Sequence, residues 1–211
     1  MKNLTLSLQR GTTALLLAAA LGGQLSACAP LMVGAAVGTG MVAADRRTSG
    51  AQLEDEAIEL KASNRIQENF GTRVRVNVTS YNRLVLLSGE VPSEADRQRV
   101  QQVVAGVDNV RSVVNELAVL DSPTLGQRAS DTVLTGKVKA GFIDHGELSA
   151  QAFKVVTERG TVYLMGRVTQ REAKRATDIA RGVGGVAKVV RVFEDISEEE
   201  LKRLSQPPMG K

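Results

Sequence analysis

One cysteine, one histidine and no tryptophan occur in 211 residues, and aromatic side chains make up 3% of the chain. A single cysteine has no partner, which excludes an intrachain disulfide. The shortage of aromatics means that any core is aliphatic, and about 180 residues beyond the N-terminal apolar segment suit one or two small domains. One histidine leaves little for acid–base chemistry or a metal centre. His145, in "IDHGEL", would need Asp144 or Glu147 and further ligands from elsewhere, and a solvated loop histidine is the plainer reading. Long apolar runs are also missing. "TTALLLAAALGG" is roughly a dozen residues and the glycine-rich stretch Pro30 to Ala44 about 15, against the ~20 that a spanning helix requires.

What is present begins with an export signal over 1–27: Lys2 and Arg10 bracket a short cationic start, and the apolar run has the length of a signal-peptide core. The formal charge of +4 and the pI near 9.4 suggest nucleic acid as a partner only until the signal is removed, which leaves 25 positive against 23 negative side chains. No nucleic-acid partner is expected of an exported chain. Its end, "LSACAP" from Leu25 to Pro30, resembles the bacterial lipobox, in which Leu, Ser, Ala and Cys fill the last four positions. That resemblance implies cleavage before Cys28 and acylation of its thiol and new amino terminus. At about 0.8 kcal/mol per buried methylene, several acyl chains hold a protein on a bilayer without a spanning helix. Ala29 stands where an inner-membrane retention signal would place Asp. By similarity to Gram-negative lipoproteins, the expected location is the periplasmic face of the outer membrane, reached through a flexible tether, 28–54.

From Asp55 the chain reads the same way twice. "LVLLSGEV" (Leu84 to Val91) returns as "VYLMGRV" (Val162 to Val168) with Gly89 matching Gly166, and "AGVDNVRSVVNEL" (Ala105 to Leu117) returns as "RGVGGVAKVVRVF" (Arg181 to Phe193). Two copies of a unit of about 65 residues account for this, placed at 55–121 and 130–196 with a tail at 197–211. Within a copy, Ile58, Ala62, Ile66 and Phe70 mark one buried helical stripe, and Val74, Val76 and Val78 alternate along a strand. "SYNR" then turns the chain into the second strand. Ser93 with Asp96, and Thr169 with Glu172, are helix-start signals, after which Val100, Val103, Val104 and Val107 (first copy) or Ala173, Ala176, Ala180 and Val183 (second) resume the helical period. Each unit is thus α-β-β-α-β. The predicted fold is α+β: two tandem units, each a three-stranded mixed sheet with two helices on one face.

In their order, these landmarks resemble the BON domain, a module of bacterial envelope proteins. With the lipobox and "DRRTSGAQ" ahead of the first unit, the whole chain is similar to outer-membrane lipoproteins that carry two such domains. The resemblance implies a role in envelope integrity and localisation towards division sites, and the thin inventory of reactive side chains leads to the expectation of no enzyme and no cofactor. The residues agree about catalysis: Ser88 is replaced by Met165 in the second copy, and acylation would consume the only thiol. Gly182 to Gly185, "GVGG", follows a helix rather than opening one, so it stops that helix instead of cradling a phosphate. In the tail, Ser197 with Glu200 caps a short helix that ends before Pro207. No catalytic and no metal-ligating residue is assigned.

Function is expected where the copies differ. From Asp55 to Leu120 eight positive and nine negative side chains give −1, whereas from Asp131 to Ile196 eleven and eight give +3. In "DTVLTGKVKAGFI", Leu134, Val138 and Phe142 form the core stripe. Val133, Gly136, Ala140 and Ile143 form a second stripe on another side, flanked by Lys137 and Lys139. The matching side of the first copy holds Ala57, Leu60, Asn64 and Gln67, half of it polar. An apolar, lysine-edged face suits the headgroup boundary of an anionic bilayer. The family resemblance implies anionic phospholipid, phosphatidylglycerol and cardiolipin included, as its ligand. Two other occupants stay open: the first unit or the tether packed against this face, or an envelope protein docked on it, a partner in outer-membrane assembly or one associated with peptidoglycan. No aromatic anchor lies on the helix, and Gly136 and Gly141 each cost it about 1 kcal/mol.

Overall fold

The computed structural model describes residues 45–121, 123–146 and 148–205. The export signal, Cys28 and the tether as far as 44 lie outside the described residues, as does the tail beyond Ser205.

The first unit runs α1 (Ser49–Phe70), β1 (Arg75–Tyr81), β2 (Leu84–Val91), α2 (Glu94–Ala105), β3 (Ser112–Asn115) and β4 (Ala118–Val119). The second runs α3 (Leu125–Asp144), β5 (Lys154–Glu158), β6 (Thr161–Val168), α4 (Gln170–Gly182) and β7 (Lys188–Asp195), and α5 (Glu198–Leu204) closes the described chain. In each unit the hairpin strands are antiparallel and the crossover strand is parallel to the second hairpin strand. The mixed sheets and their element order are those predicted. In the first unit the crossover strand is broken into β3 and β4, both paired with β2. Asn115 explains the break: its Oδ1 accepts the Leu117 N–H at 3.1 Å while its amide donates to Arg97 O and Gln101, which removes the ladder geometry for one step. Ser93 and Thr169 cap α2 and α4 as their sequence signals indicate, and Ser197 caps α5.

Both leading helices start earlier than their periodicity suggests. Ser49 opens α1 within the stretch read as tether, and Leu125 opens α3 within the stretch read as a linker. The N-caps are Thr48 and Thr124, each two residues before a glycine and seven before an aspartate, so "TSG…D" and "TLG…D" extend the repeat towards the N-terminus. Thr124 forms a reciprocal capping box with Gln127. Those aspartates do the same work in both copies. Asp55 accepts the N–H groups of Asn82 and Arg83, and Asp131 those of Arg159 and Gly160, so each helix is pinned to the turn of its own hairpin. Asn82, Arg83, Arg159 and Gly160 all have positive φ, which leaves their amides pointing at one acceptor.

Each sheet buries its helical face in an aliphatic core. Ile58, Ala62, Ile66 and Phe70 meet Val85, Leu87 and Val91 in the first unit, and Val138 and Phe142 meet Phe153, Leu164 and Ala176 in the second. The opposite faces of the two sheets pack on each other through Tyr81, Leu86, Tyr163, Met165 and Val192, giving four layers: helices, sheet, sheet, helices. Charged pairs between the units ring this apolar centre. Arg159 binds Glu90 at 2.8 Å, Lys154 binds Glu59 at 2.7 Å, Arg111 binds Glu194 at 2.8 Å, and Arg75 bridges Glu90 and Glu158.

Buried Asp55 and half-buried Glu194 set the acid limit of the fold. Burial alone would raise Asp55, but hydrogen bonds from Ser80, Arg83, Arg47 and Asn82 hold it below the usual aspartate range. Glu194, likewise desolvated, is held down by Asn82 and Arg111. A depressed folded-state pKa contributes stability that is present above the unfolded value and is lost as pH falls through the folded one. Thermal unfolding is therefore expected to shift to lower temperature as pH drops below about 4, where ordinary carboxylates titrate. Asp55→Asn should flatten that slope while lowering the melting temperature at neutral pH. Glu158 acts in the opposite sense: desolvation and the neighbouring Glu90 outweigh Arg75 and raise it.

Candidate functional site

Among the described residues, α3 carries the longest exposed apolar surface on one element. Its inward side is fixed by Asp131, Leu134, Val138 and Phe142, all buried, with the Phe142 ring 5.1 Å from that of Phe153. Because 3.6 residues make a turn, this leaves the opposite side to solvent. Val133 is 58% and Ile143 67% exposed, and Gly136, Lys137, Lys139 and Ala140 are all exposed with them. All six residues of the predicted face therefore share one open side of one helix. The face is not covered by the first unit, so that alternative for its occupant does not apply among the described residues.

The earlier start of α3 adds to this surface. Leu125, 76% exposed, lies five turns before Ile143 at the same azimuth, and exposed Ala129 fills the turn between Leu125 and Val133. The stripe Leu125, Ala129, Val133, Gly136, Ala140, Ile143 is continuous over about 27 Å at 1.5 Å per residue. Leu125 and Ala129 were missed because they sit in what read as linker. The "T-x-G" spacing shared by Thr48 and Thr124 was the available signal.

Cationic groups edge the stripe. Lys139 and Arg128 lie along one side and Lys137 along the other, and none of these three side chains has a carboxylate partner among the described residues. On the Lys137 side the helix borders a groove of about 870 Å³, walled by Val133, Leu134, Lys137, Arg159 and the glycines Gly184 and Gly185. A Cβ at Gly184 would meet nothing within 4 Å, so the glycines that stop α4 also leave this wall low. On α1 the corresponding exposed apolar residues are Leu53 and Leu60, and beyond them the row ends in Asn64 and Gln67.

His145 terminates α3, with its Nδ1 2.8 Å from the Gly141 carbonyl oxygen. Among the described residues no group of three or more histidine, cysteine, aspartate or glutamate side chains is placed to hold a metal, and no helix is long and apolar enough to cross a membrane.

Gly136, the glycine of the face, is not required by its shape. A Cβ at Gly136 meets nothing within 4 Å, and the position is an exposed helix interior. Gly136→Ala is expected to stabilise the protein by about 1 kcal/mol in urea denaturation. At Gly141 a Cβ would lie 3.1 Å from Ile179 Cγ2, so the same change there should gain less or nothing.

Comparison with known proteins adds a lineage to this geometry. A family model described as "BON domain" matches residues 54–121 and 130–194. The outer membrane lipoprotein DolP of Haemophilus influenzae is 37% identical over 172 residues, covering 81% of this chain and 89% of that protein. The 21 kDa hemolysin of Actinobacillus pleuropneumoniae is 31% identical over 151 residues, covering 71% and 78%. The osmotically-inducible protein Y of Escherichia coli is 31% identical over 144 residues, covering 66% and 72%.

Proposed function

This chain belongs to the BON domain family, and from that premise we propose that it is an outer-membrane lipoprotein, anchored through Cys28 on the periplasmic face, that binds anionic phospholipid through α3. The observation that carries the reading is the exposed stripe from Leu125 to Ile143, whose cationic edges have no carboxylate partner among the described residues. Apolar side chains of this kind enter the headgroup boundary while lysines and arginines meet phosphates at about 1 kcal/mol each. The likeness to a relative named as an outer membrane lipoprotein supports the location, and "LSAC" supports the anchor. Phosphatidylglycerol and cardiolipin are the anionic lipids this face would meet. An anchored protein holds such a weak site at high local concentration, so a modest affinity is enough to bias where it resides. Its role in the cell, on this reading, is envelope integrity, with localisation towards division sites.

The test is co-sedimentation of residues 29–211, without acyl chains, with vesicles of phosphatidylglycerol or of phosphatidylcholine. Binding to the first and not to the second is the expected result. Binding to neither, together with a protein crosslink from α3 in intact envelopes, would replace the lipid by an envelope protein partner on the same face.

A further inference from the structure

The two copies agree from Thr48 and Thr124 onward, and part company just before. Arg46 and Arg47 stand where the second copy has Ser122 and Pro123. The two adjacent arginines go to different units. Arg46, its side chain 8% exposed, makes a bidentate pair with Glu172 at the start of α4, at 2.6 and 2.8 Å, and donates to the Arg167 carbonyl oxygen at 2.8 Å. Arg167 returns a hydrogen bond to the Arg46 carbonyl oxygen at 3.3 Å. Arg47 turns to the first unit. It binds Asp55 of α1 at 2.7 Å, and its guanidinium lies 4.3 Å from the centre of the Tyr81 ring. Asp45 braces it at 2.6 Å.

We propose that Asp45–Thr48 is a two-armed latch that holds the two units in one fixed orientation, with Arg46 gripping the second unit and Arg47 the first. The inference is independent of what α3 binds. Three features of the geometry carry it. Glu172 is 5% exposed on its side chain and has Arg46 as its ion-pair partner, so opening the seam there strands a buried carboxylate. Tyr81, under Arg47, belongs to the apolar cluster between the sheets, so the first arm bears on the same contact that the second arm closes. The latch also sits on the chain that leads in from residue 44. Asp45, the first described residue, therefore lies at the seam between the units.

The test is a distance between the units, measured by pulsed electron resonance with nitroxides on Gln102→Cys and Arg181→Cys. Both positions are exposed, on α2 and α4, and with Cys28→Ser in the full chain they provide the only two thiols. The latched protein should give one narrow distance. Arg46→Met should broaden it or add a second population of about a tenth or more of the molecules. Glu172→Gln, which retains a group able to cap α4 but removes the charge, should give the same change to a smaller extent. If Arg46→Met does not fold, Arg46→Met with Glu172→Gln strands no charge and is read in the same way. A single unchanged distance in these variants would overturn the latch.

Discussion

The Val133→Glu, Lys137→Glu variant is expected to lose about a hundredfold in affinity for anionic vesicles. Reversing Lys137 removes one attraction and adds one repulsion, about 1 kcal/mol each at the membrane surface. Replacing Val133 takes an apolar group out of the boundary and puts a charge in its place, which costs about 1 kcal/mol more. A total near 3 kcal/mol is about two factors of ten. Both side chains are exposed and neither contributes to the core, so the melting temperature should not move. That separates loss of binding from loss of fold. A comparable change on the first unit, Leu60→Glu with Lys61→Glu, alters an exposed pair on a helix whose stripe turns polar at Asn64 and Gln67, and should leave binding within about twofold. If the α3 variant sediments with anionic vesicles as well as the parent does, the lipid reading of this face is wrong. Raising the salt concentration should weaken the parent's binding and not its fold, because the cationic share of the contact is exposed and screened.

The second large effect is on stability, at the two glycines that mark the repeat. Gly89 has φ +115°, and a Cβ there would lie 2.1 Å from the Arg75 carbonyl oxygen on the neighbouring strand. Gly166 holds the same place in the second sheet, where a Cβ would lie 2.5 Å from the Ala152 carbonyl oxygen. In both cases the obstacle is backbone, which cannot rotate away as a side chain can. Gly89→Ala and Gly166→Ala are each expected to cost about 3 kcal/mol or more, a large part of the ~5–15 kcal/mol that holds a domain folded. Urea denaturation should show midpoints shifted far to low denaturant, and expression should fall. Gly136→Ala in the same background moves the midpoint the other way. A Gly89→Ala protein with the parent's midpoint would mean that β1 can shift away without loss, against its paired register with β2 from Arg75 to Tyr81.

These two results draw on different kinds of legibility. Gly89 and Gly166 were visible as repeat landmarks before anything was known of their surroundings, but the carbonyl oxygens that make them necessary belong to Arg75 and Ala152, well removed in sequence. The apolar side of α3 was visible from helical periodicity over 131–143. Its extension to Leu125 was hidden because the first turn of a helix carries few core positions, and a capping threonine with a glycine after it reads as linker. Ser93 and Thr169 were legible as caps for the opposite reason, since each stands next to a helix already marked by its period, and Ser197 was legible from Glu200 three residues on.

The sequence by itself determined the α-β-β-α-β order, its duplication, the helix caps and the inward stripes, because all of these depend on interactions within a few residues or on a period that local geometry imposes. It also held hints of more: "LVLLSG" is apolar at nearly every position, as a strand covered on both faces must be. Only the tertiary structure decided what covers the second face, namely the sheet of the other unit, through Leu86, Tyr163 and Met165. It alone decided that Arg46 meets Glu172, 126 residues away. No local period encodes such a contact, since it exists only once two separately legible units have been brought together in three dimensions.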